Sequence, residues 1–172
     1  ALSTFIVKLA SKIGKKELSM IGCFISAASF ILLFIIHTHN VLVWVGLIIV
    51  ATIGTSMFNM VIWAMITDVI DESEVQTGVR QDGTIYSVYS FARKLGQACS
   101  SGLSGVLLSI IGYTSVTAFD PKVVDGIYNI TCLVPAGGMI LLLLALWFLY
   151  PLNKKRVEEN AEKLRIKRNE NA

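Results

Sequence analysis

Four stretches of this sequence carry no charged side chain, and they dictate what the chain can become. They run from Leu18 to Ile36, from Val41 to Thr67, from Leu95 to Phe119 and from Gly126 to Asn153. A helix needs roughly 20 predominantly apolar residues to cross the hydrocarbon core of a bilayer. Each stretch is about that long or longer. Charged residues make up 16% of the chain and hydrophobic ones 54%, against about 25% charged in an ordinary soluble domain. Lipid gives an open backbone no hydrogen-bonding partner, so stretches like these must be helical. The expected fold is therefore an all-α integral membrane unit over residues 1–152, with spans at about 18–36, 41–66, 84–111 and 127–150. A fifth, partial span is expected to end near Val7, because Ala1–Val7 is uncharged. Residues 153–172 form a charged tail.

If the four spans alternate direction, the basic residues segregate. Lys8, Lys12, Lys15, Lys16, Arg80, Arg93, Lys94 and seven bases after Leu152 share one side, and Lys122 alone takes the other. Positive charge marks the cytoplasmic side. The sequence thus predicts a multi-pass protein of the cell membrane with its C-terminus in the cytoplasm. The tail reads as a mobile or surface-lying helix, with Lys154, Lys155 and Arg156 anchored on the phosphates of membrane lipids. No soluble domain carries that basic tail, which argues against a nucleic-acid partner. Cys23, Cys99 and Cys132 all fall inside spans, and an odd number of thiols in hydrocarbon gives no disulfide framework. His37 and His39 sit on a short outer turn, and no Cys or His pair has ligand spacing, so neither a metal nor a cofactor is expected. No nucleophile–base motif appears, so the chain does not read as an enzyme. It begins at Ala1 with neither Met nor a signal-peptide pattern, and is expected to be a fragment lacking an N-terminal portion.

Two helix faces break the apolar monotony. In the second span Thr52, Ser56, Asn59, Trp63 and Thr67 recur at steps of three and four, one face of a helix. Hydroxyls in membrane helices often bond their own backbone or pack between helices, so a cavity-lining role and a local one both stand. Asn59 is harder to place locally, because a primary amide at mid-span needs partners. In the third span Ser87, Ser90, Lys94, Gln97, Ser101 and Ser104 make one continuous stripe. Val88, Phe91, Leu95, Leu103 and Leu107 lie opposite. Such a stripe belongs against a bundle interior or a water-filled path. Lys94 lies ~16 Å along a helix that starts near Gly83. There it either serves a function or snorkels to the interface from the edge of the hydrocarbon.

Between these faces lies a group of charges: Asp68, Asp71, Glu72, Glu74, Arg80 and Asp82. The strings D-V-I-D, E-S-E and T-G-V-R-Q-D-G, followed by Y-S-x-x-x-F-x-x-K-x-G-Q, resemble the glycoside–pentoside–hexuronide:cation symporters, a branch of the major facilitator superfamily. The resemblance extends over the whole chain, including G-K-K in the first loop and I-G-Y closing the third full span. It implies the C-terminal portion of a twelve-helix bundle, from the end of helix 8 through helix 12, with the missing N-terminal half as its partner. It also implies a charge network of Asp68, Asp71, Glu74 and Arg80 that closes the cytoplasmic side as a gate. Lys94 matches a lysine of helix 11 that faces the central cavity near the cation and sugar sites. Ser90, Asn59, Gln97 and Trp63, the last taken as a buried aromatic, are further candidates for the substrate path.

The implied activity is symport of a sugar or glycoside with Na⁺ or H⁺ by alternating access, the coupling cation being the only ion required. Transport of another organic solute such as a lipid is a second reading. A non-transporting membrane scaffold is a third, and the polar stripe with Lys94 and Gln97 on one internal face argues against it.

Overall fold

The computed structural model describes residues 2–38 and 40–170. Ala1 at the start of the expected partial span and His39 of the outer turn lie outside the described residues. Among the described residues six helices follow one another: α1 Leu2–Ile13, α2 Lys15–Ile36, α3 Val41–Thr77, α4 Asp82–Ile110, α5 Pro121–Phe148 and α6 Lys154–Glu170. The helix ends have local causes. Gly14 separates α1 from α2 at φ 119°, a backbone state that L side chains rarely adopt. Asn40 caps α3 by accepting the Leu42 amide at 2.9 Å. Gly78 ends α3 in the left-handed conformation, with its amide bonded to Glu74 O. Pro121 opens α5, where its missing N–H costs nothing.

The boundaries differ from expectation in two places that matter. α3 does not stop near residue 66 but continues to Thr77. Its 37 residues measure ~55 Å, far more than the ~30 Å of a hydrocarbon core. The last turns, which carry the acids, therefore project beyond the apolar stretch as rigid helix. α5 begins at Pro121 rather than about 127, so Lys122 and Asp125 are on the helix, which also runs unbroken through Pro135.

α2, α3 and α5 are long and apolar enough to cross a membrane. α4 is long enough but does not meet that apolar standard, because its two bases and its stripe of serines dilute it. α2 lies between α3 and α5 and packs against both. Its contact with α3 is a backbone-to-backbone approach. A Cβ built on Gly22 would stand 2.5 Å from Gly54 O, and one on Gly54 would stand 2.5 Å from Gly22 O. Nothing larger than glycine fits either position, as close helix crossings in lipid require. The Ser26 and Thr55 hydroxyls meet beside this crossing at 3.1 Å. Ile6, Ala10, Leu18, Cys23, Val61, Met65 and Leu146 form the buried core.

The outer ends of α2 and α5 are tied as well. Tyr128 Oη donates to Leu33 O at 2.8 Å, and the Tyr128 ring stacks obliquely on His37, 4.4 Å between centroids. α4 stands apart: none of its residues is buried. Phe24, Ile35, Leu42, Leu141 and Trp147 are also well exposed. An apolar surface this extensive suits lipid, not water.

Candidate functional site

The charged end is built on the projecting turns of α3. Asp71 and Glu74 are three residues apart and so share a helix face. Gly78 folds the chain back over that face, which returns Arg80 to it. Arg80 Nη1 donates to Asp71 Oδ1 at 2.8 Å and to Glu74 Oε2 at 2.9 Å, and its Nε lies 2.9 Å from Asp82 Oδ2. These bonds, that to Asp71 foremost, raise the guanidinium above its already high pKa. Arg80 thus holds the end of α3 to the start of α4.

Asp68 does not join this cluster. It turns the other way and is buried at 5% exposure. Lys15 Nζ, from the start of α2, donates to Asp68 Oδ1 at 2.6 Å. Asp68 Oδ2 is buried without a partner among the described residues. The expected group of four therefore divides into Asp71, Glu74 and Arg80 on one side and Asp68 with Lys15 on the other.

The tail is docked on the rest of the chain. Arg156 donates to Glu72 through Nε at 3.1 Å and through Nη2, and Asn160 and Gln76 donate to the same carboxylate. Glu72 lies six residues beyond the expected end of the apolar span, and the Arg156 bond, above all, lowers its pKa to about 2. Lys154 Nζ donates to Lys12 O at 3.0 Å, and Lys167 Nζ to Gly78 O at 3.2 Å. Arg168 reaches Glu74 at 3.5 Å. So α6 is docked along the projecting end of α3. Of the three bases expected to meet lipid phosphate, Lys154 and Arg156 reach other helices, whereas Lys155, with 86% of its side chain exposed, pairs only along its own helix with Glu159 at 3.8 Å among the described residues. Lys16 caps the end of α5, donating to Tyr150 O at 2.6 Å.

A second feature lies further along α3 and α4. Phe58, Asn59, Ile62 and Trp63 of α3 face Tyr89, Ala92 and Arg93 of α4 across a cleft of about 450 Å³. Trp63 is at its centre. Tyr89 meets the indole edge-on at 5.3 Å between centroids, and the Arg93 guanidinium stands 5.9 Å from the indole centroid. Trp63 is not the buried aromatic that was expected: it is 47% exposed. Asn59 Nδ2 donates to Thr55 O at 3.1 Å, so the amide finds a local partner after all. Thr52 and Thr67 likewise bond the carbonyls of Ile48 and Trp63.

The stripe of α4 is continuous but not part of this cleft. Ser90, Lys94 and Gln97 are exposed, and none of them lines it. Ser87, Ser101 and Ser104 bond carbonyls of their own helix. Among the described residues Lys94 makes no hydrogen bond or ion pair. The structure thus brings Asn59 and Trp63 together and sets Ser90, Lys94 and Gln97 on a neighbouring face of α4.

Sequence reasoning missed Tyr89 and Arg93 in the cleft, and Lys15, Glu72, Arg156 and Asn160 at the charged end. A signal for the first pair was present: Tyr86, Tyr89 and Arg93 recur at three and four, one residue out of phase with the serine stripe. For the tail contacts no local signal exists, since Glu72 and Arg156 are 84 residues apart.

Comparison with known proteins agrees with the architecture. The family described as MFS/sugar transport protein matches residues 1–154. The chain is similar to the "Glucuronide carrier protein homolog" of Escherichia coli strain K12, 33% identical over 159 residues, which are 92% of this chain and 35% of that protein. It is similar to the "Putative sulfoquinovose importer" of the same strain, 30% identical over 169 residues, 98% of this chain and 36% of that protein. It also resembles that strain's "Putative glycoside/cation symporter YagG", 33% identical over 106 residues, 59% of this chain and 22% of that protein. The chain spans about a third of the length of the first two relatives. An all-helical fold with membrane-length apolar helices, matched over nearly all its length to one transporter family, identifies the chain as a membrane protein of the MFS/sugar transport family, in the glycoside–pentoside–hexuronide symporter branch of the major facilitator superfamily.

Proposed function

We propose that this chain is part of a symporter that moves a sugar or glycoside together with Na⁺ or H⁺ across the cell membrane by alternating access. It corresponds, in this reading, to the end of helix 8 through helix 12 of a twelve-helix carrier, and α4 is a fourth membrane span. The observation that carries the reading is the pairing of two features on the same helix pair. α3 and α4 are joined by the Arg80 cluster at one end and open into the Trp63 cleft further in. Charges that pair in one state and hydrate in the other can bias a two-state rocking bundle. A cleft with indole, phenol, amide and guanidinium groups suits a hydroxyl-rich ring.

In this proposal the charged end faces the cytoplasm, as the segregation of lysine and arginine supports. Asp71, Glu74 and Arg80 form the gate. Asp68 with Lys15 is its inner brace. Asn59 and Trp63 line the substrate path together with Ser90, Lys94 and Gln97 on the adjoining face of α4. α4 meets other helices of the carrier across its exposed faces. The relatives named for glucuronide, sulfoquinovose and glycoside/cation symport favour a sugar substrate and cation coupling over a lipid cargo or a passive scaffold.

The test is exchange. Vesicles containing the full-length protein are loaded with unlabelled glycosides and given a trace of labelled sugar outside. The expected result is transient accumulation of label above that in protein-free vesicles. Absence of counterflow for every glycoside and hexose offered would remove the reading.

A further inference from the structure

The ends of α2 and α5 away from the charged cluster are joined through an ionisable ring. His37 ends α2 at φ 45°, a positive-φ state that only glycines share among the described residues. A side chain stays in that state where its neighbours hold it there, and two residues of α5 do so. The Tyr128 ring lies against the imidazole, 4.4 Å between centroids and inclined at 51°. Asp125, three residues earlier and so on the same helix face, brings Oδ1 to 3.6 Å from His37 Nε2. Leu33 O accepts both the His37 amide at 3.0 Å and the Tyr128 hydroxyl at 2.8 Å. One carbonyl thus registers the imidazole and the phenol on each other.

The two links answer differently to pH. A phenol ordinarily keeps its proton up to about pH 10, so the Tyr128 bond to Leu33 O is indifferent to acid. An imidazole ordinarily gains its second proton as pH falls through about 6.5, and only then does Nε2 meet the Asp125 carboxylate as a cation. The helix dipoles favour that charged state: the cation sits at the C-terminus of α2 and the carboxylate near the N-terminus of α5. The other charges on that end of α5 are Asp120 and Lys122, and α3 brings none, since Val41 to Thr67 is charge-free. The His37 and Asp125 side chains are 39% and 63% exposed, so protons reach them without any opening of the bundle. We infer that His37, Asp125 and Tyr128 form a proton-sensitive clasp, in which acid draws the ends of α2 and α5 together while Tyr128 keeps them aligned at every pH. The stabilisation from the pair is present where the imidazole is charged and is lost as pH rises. With the orientation proposed above, the clasp responds to the medium outside the cell.

The experiment is hydrogen exchange on the full-length protein in lipid nanodiscs, read at the amides of residues 33–38 and 121–128. Protection is the free-peptide rate divided by the observed rate at the same pH. In the wild type it should be about threefold greater at about pH 5.5 than at about pH 8, the size expected of an exposed pair. His37→Gln and Asp125→Asn should each bring that ratio to about one. Tyr128→Phe should lower protection at both pH values and keep the ratio. His39→Gln, a control for the neighbouring imidazole in the sequence, should also keep it. A wild-type ratio of about one, a ratio that survives in Asp125→Asn, or a ratio lost in His39→Gln would overturn the inference. None of these outcomes bears on sugar transport, which the counterflow assay reads separately.

Discussion

Lys15 Nζ lies 2.6 Å from Asp68 Oδ1, which ties the start of α2 to the point where α3 leaves its apolar stretch. The aspartate is almost wholly buried and its second oxygen has no other partner among the described residues. Removing one member of such a pair leaves a buried charge alone, at a cost of about 3–5 kcal/mol. Lys15→Ala in the full-length protein should therefore lower thermal stability in detergent more than Asp68→Asn does. The double variant should recover part of the loss, as coupled partners do. Equal, additive losses would mean that the pair is not coupled.

The crossing of α2 and α3 makes a second prediction. At Gly22 and Gly54 an added Cβ would overlap backbone oxygen at 2.5 Å, whereas nothing stands within 4 Å of a Cβ added at Gly46. Gly22→Leu and Gly54→Leu should each cost about 1–3 kcal/mol or more through overpacking. Gly46→Leu should stay near wild type. Melting curves of the purified variants give the ranking.

Arg80 is bonded to three carboxylates from both sides of one turn. Exposed pairs contribute about 0.2–1 kcal/mol each, so losing all three shifts a two-state balance by about 1 kcal/mol, roughly fivefold in population. Arg80→Ala should change the labelling rate of a Ser90→Cys thiol, in a background without the native cysteines, by about that factor. An unchanged rate would return the cluster to a purely structural role.

The docking of α6 carries a pH signature. Glu72 is held to a pKa of about 2, below the ordinary 4.5, chiefly by its bond with Arg156. Its folded pKa is the lower one, so its contribution is fully present above about pH 4.5 and is lost as pH falls through about 2. Relative to the free-peptide rate at the same pH, amide exchange in residues 154–170 should be slow at neutral pH and accelerate on acidification across that window. In Glu72→Gln it should already be fast at neutral pH. Exchange that ignores both would place the hold on α6 elsewhere.

How much of this could be read from the chain alone depended on range. The charge-free runs fixed α2, the apolar part of α3 and α5, because helix in lipid follows from local composition. The stripe from Ser87 to Ser104 was legible for the same reason: a period of three to four is local. The extension of α3 to Thr77 was not, since Asp68, Asp71, Glu72 and Glu74 read as loop until the partners that neutralise them are known. Those partners, Lys15, Arg80 and Arg156, come from three other parts of the chain. The contacts of Lys154 and Arg156 with protein were not legible for the same reason: a basic run looks alike whether phosphate or Glu72 receives it. Arg93 was counted only among the bases of the cytoplasmic side. One residue on a helix turns the side chain by about 100°, enough to move it from the serine stripe to the cleft.

Coupled transport along α3 and α4 needs a charge on the substrate path, and Lys94 is the base on the exposed stripe that should serve it. The direct measurement is accumulation of labelled glycoside by vesicles containing the full-length protein, with a Na⁺ or H⁺ gradient imposed and then collapsed, for wild type and for Lys94→Ala. The expected result is uphill accumulation in the wild type that vanishes with the gradient, and its loss in Lys94→Ala at normal expression. Wild-type uptake that is indifferent to both gradients, or full gradient-driven accumulation in Lys94→Ala, would contradict it.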